Sequence, residues 1–185
     1  MEILNIFEEI RIPATIVHVI SVVLGMGAAL VSDLLFSFFS KDKKLNTTEI
    51  KTLEILSKTV VYSLIVITVS GVAIFLSDIE RYTNSAKFIS KMTILAVLIV
   101  NGYILNKYIW PHILNPNFFT LKKERNIRKV AFVCGAISVV SWISVCTLGV
   151  ASNLNMSYVS IISIYLVILV VSTVVSIFVE KKEFN

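Results

Sequence analysis

A histidine at 18 and an aspartate at 33 stand inside one apolar run, Pro13 to Phe39, built otherwise mostly from Val, Leu, Ile, Met, Phe and small residues. An imidazole can bind haem iron or another metal, or pass protons along. A carboxylate set in hydrocarbon can hold a cation or a proton, and such groups are rare because they are expensive there. At 100° per residue, Ser21, Gly25, Ala29 and Ser32 fall within about 60° of His18, and Asp33 lies about 60° to its other side. A single helix therefore carries imidazole, small residues and carboxylate as one stripe. The two ends of that stripe are about 22 Å apart along the axis, so they cannot share a ligand.

The elements that carry these residues follow from composition. Hydrophobic residues make up 56% of the 185 and charged residues only 16%, against about 25% charged in a soluble domain. Mean hydropathy is +0.86. About 20 helical residues cover the hydrocarbon, and five runs reach that length, roughly 13–39, 53–77, 88–113, 130–150 and 158–179. They are too long for barrel strands of about ten residues. The expected fold is one all-α transmembrane domain, a polytopic bundle of five membrane-spanning helices. The residues before Pro13, MEILNIFEEIRI, read as a short amphipathic segment at the surface and not as a cleaved leader, being acidic at the start.

Loop charge orients the bundle. Lys41, Lys43, Lys44, Lys51, Lys122, Lys123, Arg125, Arg128, Lys129, Lys181 and Lys182 fall on one side; Arg11, Arg81, Lys87 and Lys91 fall toward the other. The positive-inside rule places the first group in the cytoplasm, the N-terminus outside and the C-terminus inside. The expected setting is a bacterial-type inner membrane. Basic residues confined to such loops are no signal for nucleic acid. The polar stretches KDKKLNTTEIK and NPNFFTLKKERNIRKV read as ordinary loops, with Thr47 or Thr48 capping the second helix. Cys134 and Cys146, twelve residues apart on one helix, are about 18 Å apart and beyond disulfide reach.

Antiparallel spans can be matched by depth at 1.5 Å per residue. His18 and Lys91 then share an outer level. Asp33, Lys58, Asn106 and Lys107 form an inner layer, with Asn101 near the centre. Each has a plain packing explanation beside its functional one. Asp33 can pair with Lys58 or Lys107, or handle a proton or cation. Lys58, Lys107 and Lys91 can snorkel to the headgroups. Gly25 and Ala29 can serve close helix approach, and His112, after Trp110-Pro111, an interfacial exit from the membrane. HExxH, CxxC, GxSxG, P-loop and GxGxxG patterns are all missing from the sequence, so a hydrolase or nucleotide enzyme has no visible apparatus. Two histidines at opposite ends of the bundle cannot ligate one haem from both faces.

The first and third helices resemble the superfamily of copper-resistance D-type membrane proteins and HemJ-type protoporphyrinogen oxidases. There the first helix opens with a pattern like H-x6-W-x-G and the third begins with a lysine and an apolar run. Here His18 is followed by Gly25 and Gly27, glycine standing for the tryptophan, and Lys91 begins KMTILAVLIVNGYILN. The resemblance covers about a quarter of the chain. It implies His18 as axial ligand of a b-type haem, Lys91 beside it on a propionate, and Gly25 making room for the macrocycle. Copper is the alternative cargo, with Met26 or Met92 as soft ligands. Three readings stand: a haem-binding redox membrane protein, a small transporter or copper- or ion-handling protein using the Asp33 layer, and a non-catalytic subunit of a membrane complex. The first three helices are expected to surround the polar stripe. The fourth and fifth shield it from lipid or form a homo-oligomer contact, with Ser138, Ser141, Ser144, Ser172 and Ser176 bonding between helices.

Overall fold

The computed structural model describes residues 2–115, 117–151 and 155–184, the first eight of these by backbone alone. The elements are α1 (Glu2–Phe39), α2 (Thr47–Leu76), the short α3 (Ile79–Thr83), α4 (Ala86–Ile104), a π-helical turn Leu105–Ile109, α5 (Trp110–Ile113), α6 (Arg125–Val150) and α7 (Tyr158–Phe184). Five helices, counting α4 through α5 as one, are long and apolar enough to cross a membrane. This is the architecture of a multi-pass membrane protein. Large apolar side chains face outward along every span, as at Leu34 (71% exposed), Val69 (67%) and Val159 (70%). Lipid, in place of water, makes that arrangement stable.

Local signals set the element ends. Asn46, not a threonine, caps α2: its side chain accepts from the Glu49 N–H while Glu49 reaches back to the Asn46 N–H, a reciprocal capping box. Asp78 and Ser85 cap α3 and α4 from one side only, accepting from the Arg81 and Phe88 N–H groups. α1 is continuous through Pro13, so residues 2–12 are the first turns of the spanning helix and not a separate surface segment. Met1 and the side chains of residues 2–9, on which amphipathic character would depend, lie outside the described part. Proline removes one backbone hydrogen bond, and its neighbour Thr15 donates to the Arg11 carbonyl at 2.7 Å.

The packing order differs from the expected one. α1 lies along α2 and against α6; α6 also packs on α4 and α7. The fourth span, expected to shield the polar stripe from lipid, is therefore the central helix. Glycine and other small residues explain this. A Cβ at Gly25 would stand 2.8 Å from Ser63 Cβ and 2.9 Å from Trp142 Cη2, and one at Gly135 would stand 3.1 Å from Asp33 Oδ1. Close approach of α1 to both α2 and α6 requires hydrogen at Gly25. Among the serines, Ser141 bonds across helices, to the Tyr165 hydroxyl at 2.9 Å, whereas Ser176 bonds back to Thr173 of its own helix.

The basic end is the best sealed. Phe118 and Phe119, read from sequence as loop, are buried and join Ile109, Ile113 and Ala131 in a core beneath the bundle. Arg128 Nη1 donates to the Phe118 and Leu121 carbonyls at 3.2 and 3.1 Å. Its Nε lies 3.6 Å from Glu180 of α7, and its guanidinium lies over the Phe184 ring at 5.0 Å. Removing one partner of so buried a pair costs about 3–5 kcal/mol. His112 is drawn into the same end, its Nδ1 2.8 Å from Glu124 Oε2. Cys134 and Cys146 are both free.

Candidate functional site

The stripe on α1 resolves into two sites of different construction. At the upper one, His18 Nδ1 lies 3.0 Å from Ser70 Oγ on α2. Ser70 Oγ also lies 2.6 Å from the Val66 carbonyl, an oxygen that can only accept. The single serine proton is committed there, so His18 Nδ1 carries the hydrogen and donates to Ser70. The ring also hydrogen-bonds the backbone of Ile67 on α2. Gly71, whose Cβ would sit 3.5 Å from His18 Cε1, lets the ring lie against α2. Lys91 of α4 is near enough for its charge to act on the imidazole, which agrees with the depth match made from sequence.

Room for a macrocycle at Gly25 is a different matter. The space a side chain would occupy there is filled by Ser63 and by the Trp142 indole from α6. A haem plane against Gly25 does not fit this arrangement. Copper ligation by the methionines has no support in their placement: Met26 packs in the core with Ala29 and Trp142, while Met92 is exposed on α4. No group of three or more His, Cys, Asp or Glu able to hold a metal ion occurs among the described residues.

The lower site is a cavity of about 120 Å³ enclosed by α1, α2, α4, the π turn and α6. Asp33 lines it, with Ser57 and Asn106 at one side, Asn101 and Ser138 at another, and the rest mostly Leu, Val, Phe and Trp. Asp33 Oδ2 is fully buried and has no hydrogen-bond partner, and neither has Trp142 Nε1 on the same lining. Asn101 Nδ2, by contrast, donates to the Cys134 carbonyl at 3.0 Å.

The ion pair expected for Asp33 does not form. Lys58 turns outward to Glu54 one turn away, at 2.7 Å, with its side chain 63% exposed. Lys107 bonds to the Tyr103 hydroxyl and lies over the Tyr103 and Tyr108 rings at 5.0 and 5.7 Å. Each lysine finds a partner on its own helix, where i,i+4 spacing costs little to close, and neither has to cross the bundle. Of the inner layer drawn from sequence, Asp33 and Asn106 meet at the cavity and Lys58 and Lys107 do not. Sequence reasoning missed Ser70, Gly135 and Trp142. An indole N–H in the middle of an apolar span, with no acceptor in sight, was the one available signal.

No protein-family model, curated protein or solved structure matches this chain.

Proposed function

We propose that this chain is a small-solute or ion-handling membrane protein whose working site is the Asp33 cavity. One observation carries the reading: a carboxylate oxygen, fully buried and partnerless, on the wall of a cavity within a spanning bundle. An intramembrane carboxylate without a cation is costly enough that it marks a substrate or ion path by default. Structural use of Asp33 would call for a partner, and both lysines at its depth are engaged elsewhere. The π turn adds weight, since such turns concentrate at functional sites and Leu105 and Asn106 line this cavity from it. The charge of the loops favours an N-out, C-in orientation in a bacterial-type inner membrane.

Vesicles containing the purified chain test the reading. Labelled rubidium and methylammonium uptake are followed for the wild type and for Asp33→Asn. Uptake of either above protein-free vesicles, lost in the variant with its melting temperature maintained, is the expected result. Equal flux in both proteins would overturn the assignment to Asp33.

A second reading belongs to His18. The hydrogen bond between His18 Nδ1 and Ser70 is the kind of contact by which a neighbouring group orients a ligating histidine. The reading makes His18 the axial ligand of a b-type haem approached from a side other than Gly25, with Lys91 beside it; the haem would supply one-electron redox chemistry. Protein purified from a haem-replete membrane should then show a Soret band that His18→Ala removes. No band with haem supplied sinks the reading.

A further inference from the structure

The Asp33 cavity has a mouth, and its position and lining point to what enters. α2 and α4 border the cavity on one side without packing on each other over any length. At this level α2 is joined to the π turn that follows α4 by a side-chain hydrogen bond, Ser57 Oγ donating to Asn106 Oδ1 at 2.9 Å, and that bond is exposed. Asn106 is held for this by its own Nδ2, which donates to the Gly102 carbonyl at 2.9 Å. Beside it on the lining, Val61 is 38% exposed. A gap in that place opens to lipid and not to a loop region.

Size and chemistry then limit the ligand. About 120 Å³ is below the roughly 150 Å³ cavity that takes benzene, so the enclosed part of a ligand is no larger than a benzene ring. One acceptor-only carboxylate needs a donor, and a positive one offsets the burial of its charge. An alkali or divalent cation would want six or so oxygens, whereas the walls here are mainly hydrocarbon and aromatic. Both tryptophans of the chain, Trp110 and Trp142, line the cavity with Phe36, and aromatic faces suit an organic cation. Resting on the reading of Asp33 as the working site, we propose that the α2–α4 gap is a portal from the bilayer and that the ligand is a small monoamine with an apolar body about the size of a benzene ring. Its ammonium sits on the Asp33 carboxylate and its body among Phe36, Leu98 and Trp142.

The tryptophans report on occupancy. The full chain in lipid nanodiscs is titrated with 4-bromobenzylamine, whose bromine quenches indole fluorescence, and with 4-bromobenzyl alcohol, matched in shape but uncharged. The expected result is saturable quenching by the amine, at least about tenfold weaker for the alcohol and for Asp33→Asn, with the variant's melting temperature unimpaired. Saturable quenching equal for amine and alcohol, and unchanged in Asp33→Asn, overturns the amine assignment while leaving a cavity that small solutes occupy. Saturable quenching by neither overturns this proposal, while the Asp33 reading stands or falls separately by the uptake of rubidium and methylammonium. Ser57→Leu, which places a branched side chain in the gap, should slow the onset of quenching by about tenfold in stopped flow; an unchanged rate overturns the portal.

Discussion

His18 and Asp33 share one face of one helix, yet their surroundings are opposite. His18 lies in a close contact between α1 and α2, its Nδ1 matched to Ser70 and its ring lodged over Gly71. Asp33 lies beside empty space, its Oδ2 matched to nothing. A polar group that packs and bonds to a neighbouring helix contributes to the bundle; one left bare in a cavity weighs against it. The same type of substitution should therefore change stability in opposite directions at the two sites.

The largest effect belongs to the seam between them. Gly25→Trp puts an indole where Ser63 and Trp142 already are, and overpacking of that kind costs about 1–3 kcal/mol or more. Loss of the folded monomer in detergent is expected. A stable, monodisperse variant would show that α1 and α6 are not in close contact at all. Next is Asp33→Leu, which removes an uncompensated acid from an apolar wall and should raise the melting temperature, by the equivalent of about 1–3 kcal/mol. A fall would reveal a partner that stabilises the carboxylate. Ser70→Ala, at the other site, should lower it by about 0.5–1.5 kcal/mol through the unpaired His18 Nδ1; a gain there would erase the contrast. Smallest of all, Lys58→Ala should leave the melting temperature where it was, since its one partner is Glu54 on the surface of the same helix. A marked drop would restore the ion pair with Asp33 that sequence depth alone suggested.

The five spans were legible in the sequence because hydrocarbon thickness and helix rise allow few alternatives. That Lys91 lies near enough to His18 for its charge to be felt was legible for the same reason, as both positions follow from axial distance. Rotation about the axis was harder to read. Counting 100° per residue works along α1, but the π turn at Leu105–Ile109 inserts an extra residue and rotates everything after it by about 100°. Lys107 lies inside that turn, where the angular count along α4 no longer holds. The central place of α6 was hidden for a different reason. Its apolar surface resembles that of α7, and only the small residues facing α1, such as Gly135, set it apart. Phe118 and Phe119 read as loop because they follow Pro116 and Asn117 and precede lysines; no periodicity marks a chain that folds back under a bundle.

The contact of Gly25 with Trp142 has a consequence for how this sequence can drift. The two positions are 117 residues apart in the chain, yet a bulky residue at the first is tolerated only where Trp142 has become small and Ser63 has also given way. Either change alone leaves a clash or a void, so an inheritable path between the two states passes through a damaged intermediate. Relatives that keep this bundle should therefore carry a larger residue at 25 only together with changes at 63 and 142. Such paired variation would register the contact between α1 and α6 without any structure being consulted.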